Sequence, residues 1–246
     1  MRRASAARVR TCWFVMLTCG WLGAATSLAS PARDKNTPAA RWDEQTPGCT
    51  FSQGPDGKLR YGMSLADVAM VVAVDAQELE KVHRRHEPFF AVLLEVHNRG
   101  GQVLEVKPEK ITLEFVQHFQ VEQPALDPDD FSQKIQNDAD ALNDQAAREV
   151  KKNPEKKDDK ESFVRAYLKD SAELQEFVGK NSLRTTQLDA ANPETRGWVL
   201  FSTKSKWIGG WKKQEEMILR VPLNGKIYEF PFTLPPKAGQ VTLRKR

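Results

Sequence analysis

Residues 88–99, Pro-Phe-Phe-Ala-Val-Leu-Leu-Glu-Val-His-Asn-Arg, constrain the fold more than any other stretch of the chain. Phe90, Val92, Leu94 and Val96 alternate onto one face. The opposite face begins apolar at Phe89, Ala91 and Leu93 and turns polar at Glu95 and His97. This pattern predicts a strand covered on both sides at one end and open to water at the other. Asn98, Arg99, Gly100 and Gly101 follow, residues suited to a reversal that needs positive φ. Apolar runs of the same kind recur on either side, which places this strand near the middle of a sheet-on-sheet domain.

The earlier residues 64–75 predict a strand through Val68, Met70, Val72 and Val74. Asp75 and Glu78 resemble a capping box opening a short helix with Leu79 and Val82 on one side, and Pro88 stops that helix. A short strand is expected over 103–107. A long one is expected over 111–121, where Ile111, Leu113, Phe115, Phe119 and Val121 alternate strictly. Strands resume over 183–188 and 196–203. Two more, 216–221 and 226–234, flank Asn224-Gly225, the strongest short-range hairpin signal in the sequence.

Between these strands the period changes. Asp127 as cap and Pro128 at the first helical position open a helix whose apolar face is Phe131, Ile135, Ala139, Leu142, Ala146 and Val150. Asn153-Pro154 breaks it within a charged stretch. A second helix is expected over about 161–178, with Phe163, Tyr167, Leu168, Leu174, Phe177 and Val178 to one side and Gly179 at its end. The expectation is a helical hairpin, about 127–181, inserted into a mainly β domain. Short strands with turns between them make an immunoglobulin-like β-sandwich the expected architecture for 61–246.

Two stretches carry a resemblance. One runs from Glu87 through Asn98 to Val106-Lys-Pro-Glu-Lys-Ile-Thr-Leu-Glu114, the other is Asn192-Pro-Glu-Thr-Arg-Gly-Trp-Val-Leu-Phe201. An extended strand ending in Asn, a Val-x-Pro corner and a Pro-x-x-Thr-x-Gly-aromatic lead into an apolar strand resemble exported bacterial immunoglobulin-like domains of uncharacterised families. The resemblance covers about half of the chain after residue 29, and the helical insertion departs from it. It implies no catalytic residues and points toward a binding or assembly role.

Residues 1–29 read as a secretory signal: Arg2, Arg3, Arg8 and Arg10, an apolar core over 12–25, and Ser27-Leu28-Ala29 for cleavage. The apolar run is short for a membrane span, which needs roughly 20 residues. Met16-Leu17-Thr18 before Cys19 departs from a lipidation box. The full chain has 37 Lys and Arg against 33 Asp and Glu, and the signal holds four Arg and no acid, so the remainder is balanced at 33 of each. That balance gives no electrostatic ground for nucleic-acid binding. Only Cys49 remains after the signal, so no intramolecular disulfide is expected. Residues 30–60 are poor in large apolar side chains, with Trp42, Phe51 and Leu59 alone, and predict a flexible lead-in.

Candidate chemistry is thin. His83, His86 and Glu87 offer three metal-type ligands, but Arg84 and Arg85 between them repel a cation, and no metal or other cofactor is expected. His97 and His118 fall on polar strand faces. There is no Gly-x-Ser-x-Gly, His-Glu-x-x-His, phosphate loop or dinucleotide fingerprint. Asp129/Asp130 and Asp158/Asp159 sit where acids complement a helix N-terminus. The clearest contact candidate is the stretch 204–213, in which Trp207, Ile208, Trp211 and Lys212 set aromatic groups on a basic base. It reads either as a contact for a partner, a sugar or a membrane surface, or as Trp side chains folded over the core.

The sequence therefore leads to an exported, non-catalytic module of the periplasm, cell envelope or extracellular space. Its expected partner is another envelope protein, met through the helical insertion or the Trp207/Trp211 loop, with no stable membrane insertion after cleavage. The alternatives are an envelope-polymer hydrolase or metal-dependent enzyme, and a carbohydrate-binding module.

Overall fold

The computed structural model describes residues 38–74, 89–117, 121–202 and 214–234, all within one unit spanning Asp34–Arg246. The signal segment, the 75–78 capping box, His83, His86, Glu87 and His118 lie outside the described residues, as do Trp207, Ile208, Trp211 and Lys212. The described chain is mainly β with two long helices. Its strands are β1 (Ala39–Arg41), β2 (Cys49–Gln53), β3 (Leu59–Ser64), β4 (Val68–Val74), β5 (Phe89–Asn98), β6 (Leu104–Val106), β7 (Thr112–Phe115), β8 (Val121–Pro124), β9 (Thr186–Leu188), β10 (Glu194–Ser202), β11 (Glu215–Leu223) and β12 (Lys226–Leu234). The helices are α1 (Pro128–Lys152) and α2 (Lys157–Asn181), joined through a 3-10 turn at Pro154–Lys156.

Two five-stranded sheets form, in the orders β1-β12-β11-β7-β8 and β10-β5-β4-β3-β2, with β6 and β9 as a separate pair. Only β1 against β12 is parallel among the strand pairs described. The two sheets share one core. Phe232 of the first lies 6.0 Å from the Tyr61 ring and 6.5 Å from the Phe90 ring of the second. β5 has the two-sided character expected of it. Phe90, Val92, Leu94 and Val96 are fully buried in the shared core, while Phe89 and Ala91 belong to a second cluster beneath the helices. Glu95 and His97, further along the same face, are only partly covered.

The β11–β12 hairpin turns through Asn224 (φ 49°) and Gly225 (φ 74°), the two positive φ values of the tight turn that Asn-Gly favours. The helical hairpin forms as expected, but α2 starts earlier and runs through Gly179 to Asn181. Gly179 has no positive φ, so it does not cap the helix, and the chain leaves at Ser182.

Three further expectations are corrected. The single strand over 111–121 is two strands: Val116 and Gln117 turn the chain, and β8 folds back on β7 with Phe115 opposite Val121. Alternation in the sequence does not mark the turn, because Val121 continues the period while sitting on a strand that is only partly buried. Residues 30–60 are not a lead-in from position 38 onward. β1 joins the first sheet, and β2 and β3 join the second. Trp42, Phe51 and Leu59, too few to fold by themselves, suffice because each packs against a core supplied by the rest of the chain. Finally, Phe163 and Leu168 do not join the apolar face of α2. They are 45% and 38% exposed, whereas Val164, Tyr167, Ser171, Leu174 and Val178 point inward.

Candidate functional site

The inserted hairpin is the feature that departs most from a plain two-sheet body, and its root is built residue by residue. Asp127, with extended backbone, accepts from the Asp129 and Asp130 amides at 2.8 and 3.0 Å, so the first turn of α1 is capped. Just before it, the Leu126 amide donates to the Leu200 carbonyl at 2.7 Å. Just after α2, the Leu183 amide donates to the Trp198 carbonyl at 2.9 Å. Both bonds use the outer edge of β10, so the hairpin enters and leaves by plugging one edge of the second sheet. Arg184 closes the root by pairing with Asp129 at 2.6 Å.

The root is apolar inside. Phe131, Ile135, Leu174 and Val178 pack on Phe89, Ala91 and Leu200. Phe131 meets the Phe89 ring edge-on at 5.5 Å, and Phe177 lies 6.0 Å from the Trp198 ring. Lys58 places its ammonium 5.6 Å from the centre of that Trp198 ring.

Beyond the root the helices hold mainly each other. Gln175 donates to the Ser132 carbonyl at 3.1 Å and to Gln136 at 3.2 Å. Near the tip Lys160 meets Glu149 at 2.5 Å, and that contact, with Gln145, holds the Glu149 carboxyl below its ordinary range. Buried positions on α1 stop at Ala139, and Leu142, Ala146 and Val150 are only half-buried. A 25-residue helix is about 37 Å long, so the distal part of the hairpin reaches well past its last buried residue on α1. Phe163 and Leu168 lie on this distal part.

A second grouping escaped the sequence reading. Arg220 on β11 ion-pairs with Glu229 on β12 at 3.0 Å and with Glu114 on β7 and Glu122 on β8. Arg41 on β1 adds a further contact to Glu229 at 3.4 Å. The side chains of Glu114 and Glu229 are each 5% exposed and that of Arg220 11%. Burial works against the charge of Arg220, but Glu229 and Glu114 outweigh it and hold the guanidinium protonated beyond its ordinary range. With its carboxylates turned onto guanidinium groups, the cluster ties all described strands of the first sheet together. Its sequence signal was a single charge inside each apolar run: Glu114 after Leu113, Arg220 after Leu219 and Glu229 after Tyr228.

Among the described residues no group of three or more His, Cys, Asp or Glu is placed to hold a metal ion. His97 meets Glu194 at 3.2 Å on the partly open end of β5. Cys49 has a free thiol and is partly buried. No described helix is long and apolar enough to cross a membrane. Compared with protein-family models, with curated proteins and with solved structures, the chain gives no match.

Proposed function

We propose that the chain is an exported, non-catalytic binding or assembly module of the cell envelope, whose partner is another envelope protein met through the helical insertion. The observation that carries this reading is the hairpin itself: rooted firmly on β5 and β10, it extends beyond its support and presents Phe163 and Leu168 to solvent. A rigid scaffold that holds out an inserted element is a common arrangement for recognition. Export rests on the basic, apolar and small-residue parts of residues 1–29, and the stretch with Trp207, Ile208, Trp211 and Lys212 remains a second contact proposed from sequence alone.

The finer fold reading belongs to the same proposal. β5 pairs with β10, β7-β11-β12 lie together in the other sheet, and β1 runs parallel to the last strand. This arrangement supports an immunoglobulin-like Greek key with additional strands β2 and β3 at one edge and the hairpin inserted between β8 and β9.

The test is a crosslinking pull-down from the native envelope, comparing wild type with Phe163→Glu/Leu168→Glu. Both side chains are exposed enough for the variant to keep its fold, which circular dichroism verifies. The expected result is a partner captured by wild type and lost from the variant. The same partner set from both proteins would remove the hairpin from the reading.

A further inference from the structure

We propose that β2 is a self-association edge: it pairs antiparallel with β2 of a second copy, continuing the second sheet across a twofold axis. β2 is the end strand of that sheet. Its inward bonds fall on even-numbered residues, since the Ser64 amide donates to the Gly48 carbonyl at 2.8 Å and the Gly54 amide to the Lys58 carbonyl at 2.9 Å. With Thr50 opposite Gly62 and Ser52 opposite Arg60, alternation turns the backbone groups of Cys49, Phe51 and Gln53 outward. The Cys49 amide is used locally by the Thr46 carbonyl at 3.0 Å. Each copy therefore offers the amides of Phe51 and Gln53 and the carbonyls of Cys49, Phe51 and Gln53.

The other described edges of the two five-stranded sheets are defended. β10 has its Trp198 and Leu200 carbonyls occupied by the hairpin root, β8 is short and ends in Pro124, and β1 is three residues long. β2 reads Cys-Thr-Phe-Ser-Gln, without the charge or proline that usually guards an edge. The absence of charge also decides the occupant, because a second identical strand meets it with no like-charge repulsion. The register that overlaps all five residues sets Phe51 opposite Phe51 and Gln53 opposite Cys49. In it, both Phe51 amides exchange bonds and each Gln53 amide reaches a Cys49 carbonyl, so every offered amide is satisfied. Beside this edge Trp42, Cys49 and Phe51 are only partly buried against the core, and the second copy covers them. One undefended edge gives an isologous contact that closes at a dimer.

The register supplies its own test. A hydrogen-bonded antiparallel pair has Cα atoms about 5.5 Å apart, within disulfide reach. Gln53→Cys should therefore link to Cys49 of the second copy on mild oxidation, and Cys49→Ser/Gln53→Cys should not. Wild type, whose Cys49 residues stand about 13 Å apart along the strands, should stay unlinked. Sedimentation of the full-length chain across a concentration series should show a dimer. Thr50→Lys/Ser52→Lys, which sets lysine against lysine, and Gln53→Pro, which removes an outward amide and the exposed side-chain bond to the Gly57 carbonyl at 3.3 Å but no bond to β3, should both be monomers with unchanged circular dichroism. A wild-type monomer at every concentration, a dimer surviving both edge variants, or linkage by Gln53→Cys that does not need Cys49 would each overturn the proposal.

Discussion

A methyl group placed on Gly197 would lie 2.5 Å from the backbone nitrogen of Leu183 and 2.6 Å from its α-carbon. These are backbone atoms of the segment that leaves α2, so they cannot swing aside as a side-chain tip would. The missing side chain is what lets the hairpin exit lie against β10 closely enough for the Leu183 amide to reach the Trp198 carbonyl. We expect Gly197→Ala to destabilise the protein by about 1–3 kcal/mol, the usual range for overpacking. Thermal unfolding measures the loss, and hydrogen exchange should show the Leu183 amide among the most affected.

The root and the tip of the hairpin should respond differently to truncation. Phe131 is 4% exposed between α1 and Phe89, so Phe131→Ala leaves a cavity costing about 3–5 kcal/mol. Phe163, on the same hairpin but 45% exposed, should change stability by about 0.5 kcal/mol or less when replaced by Ala. Urea unfolding of the two variants compares them directly, and equal effects would contradict the packing described.

Arg220→Met should be costly although it replaces a charge with an apolar side chain of similar length. It strands the buried carboxylate of Glu114 and removes the 3.0 Å contact from Glu229, which Arg41 still reaches at 3.4 Å, and breaking a buried pair from one side costs about 3–5 kcal/mol. Arg220→Met/Glu114→Gln should recover part of that loss, because one stranded charge is removed. Urea midpoints of the two variants measure the recovery.

Burial raises the Tyr61 hydroxyl to about 12 from its ordinary 10. Between those values the unfolded chain has lost this proton while the folded protein retains it. The contribution of Tyr61 is thus complete below pH 10 and is lost as pH rises toward 12, with a slope of at most about 1.4 kcal/mol per pH unit. Tyr61→Phe should be less sensitive to pH over that window. Denaturant midpoints at pH 9.5 and 11.5 test the difference, and identical slopes in the two proteins would refute it.

Much of this was local and therefore legible in the residues. The faces of β5, the Asp127-Pro128 helix start and the Asn224-Gly225 turn depend on periodicity, capping and φ, all set within a few neighbouring residues. The hairpin was visible as a change of period from two to between three and four. What failed was whatever needed a distant partner. The turn between β7 and β8 has no glycine or proline to announce it, and only pairing of Phe115 with Val121 reveals it. β1 and β2 look too polar to order because their apolar cover comes from β3, β12 and the shared core.

The candidate sites divide in the same way. Trp207 and Trp211 were named from composition and lie outside the described residues, whereas Phe163 and Leu168 were assigned to a buried face and turned out exposed. Their spacing matched the helix period, but which side of α2 is covered depends on where α1 lies. By itself the sequence determined the alternating strands, the hairpin and the places where the chain reverses, since these follow from short-range sterics and patterning. Contacts between distant segments alone brought three glutamates from neighbouring strands onto one arginine, made Gly197 give room to the hairpin, and set β2 at the end of the second sheet among the described residues. Those outcomes depend on which strands become neighbours, a choice made by burying one common core rather than by any single segment.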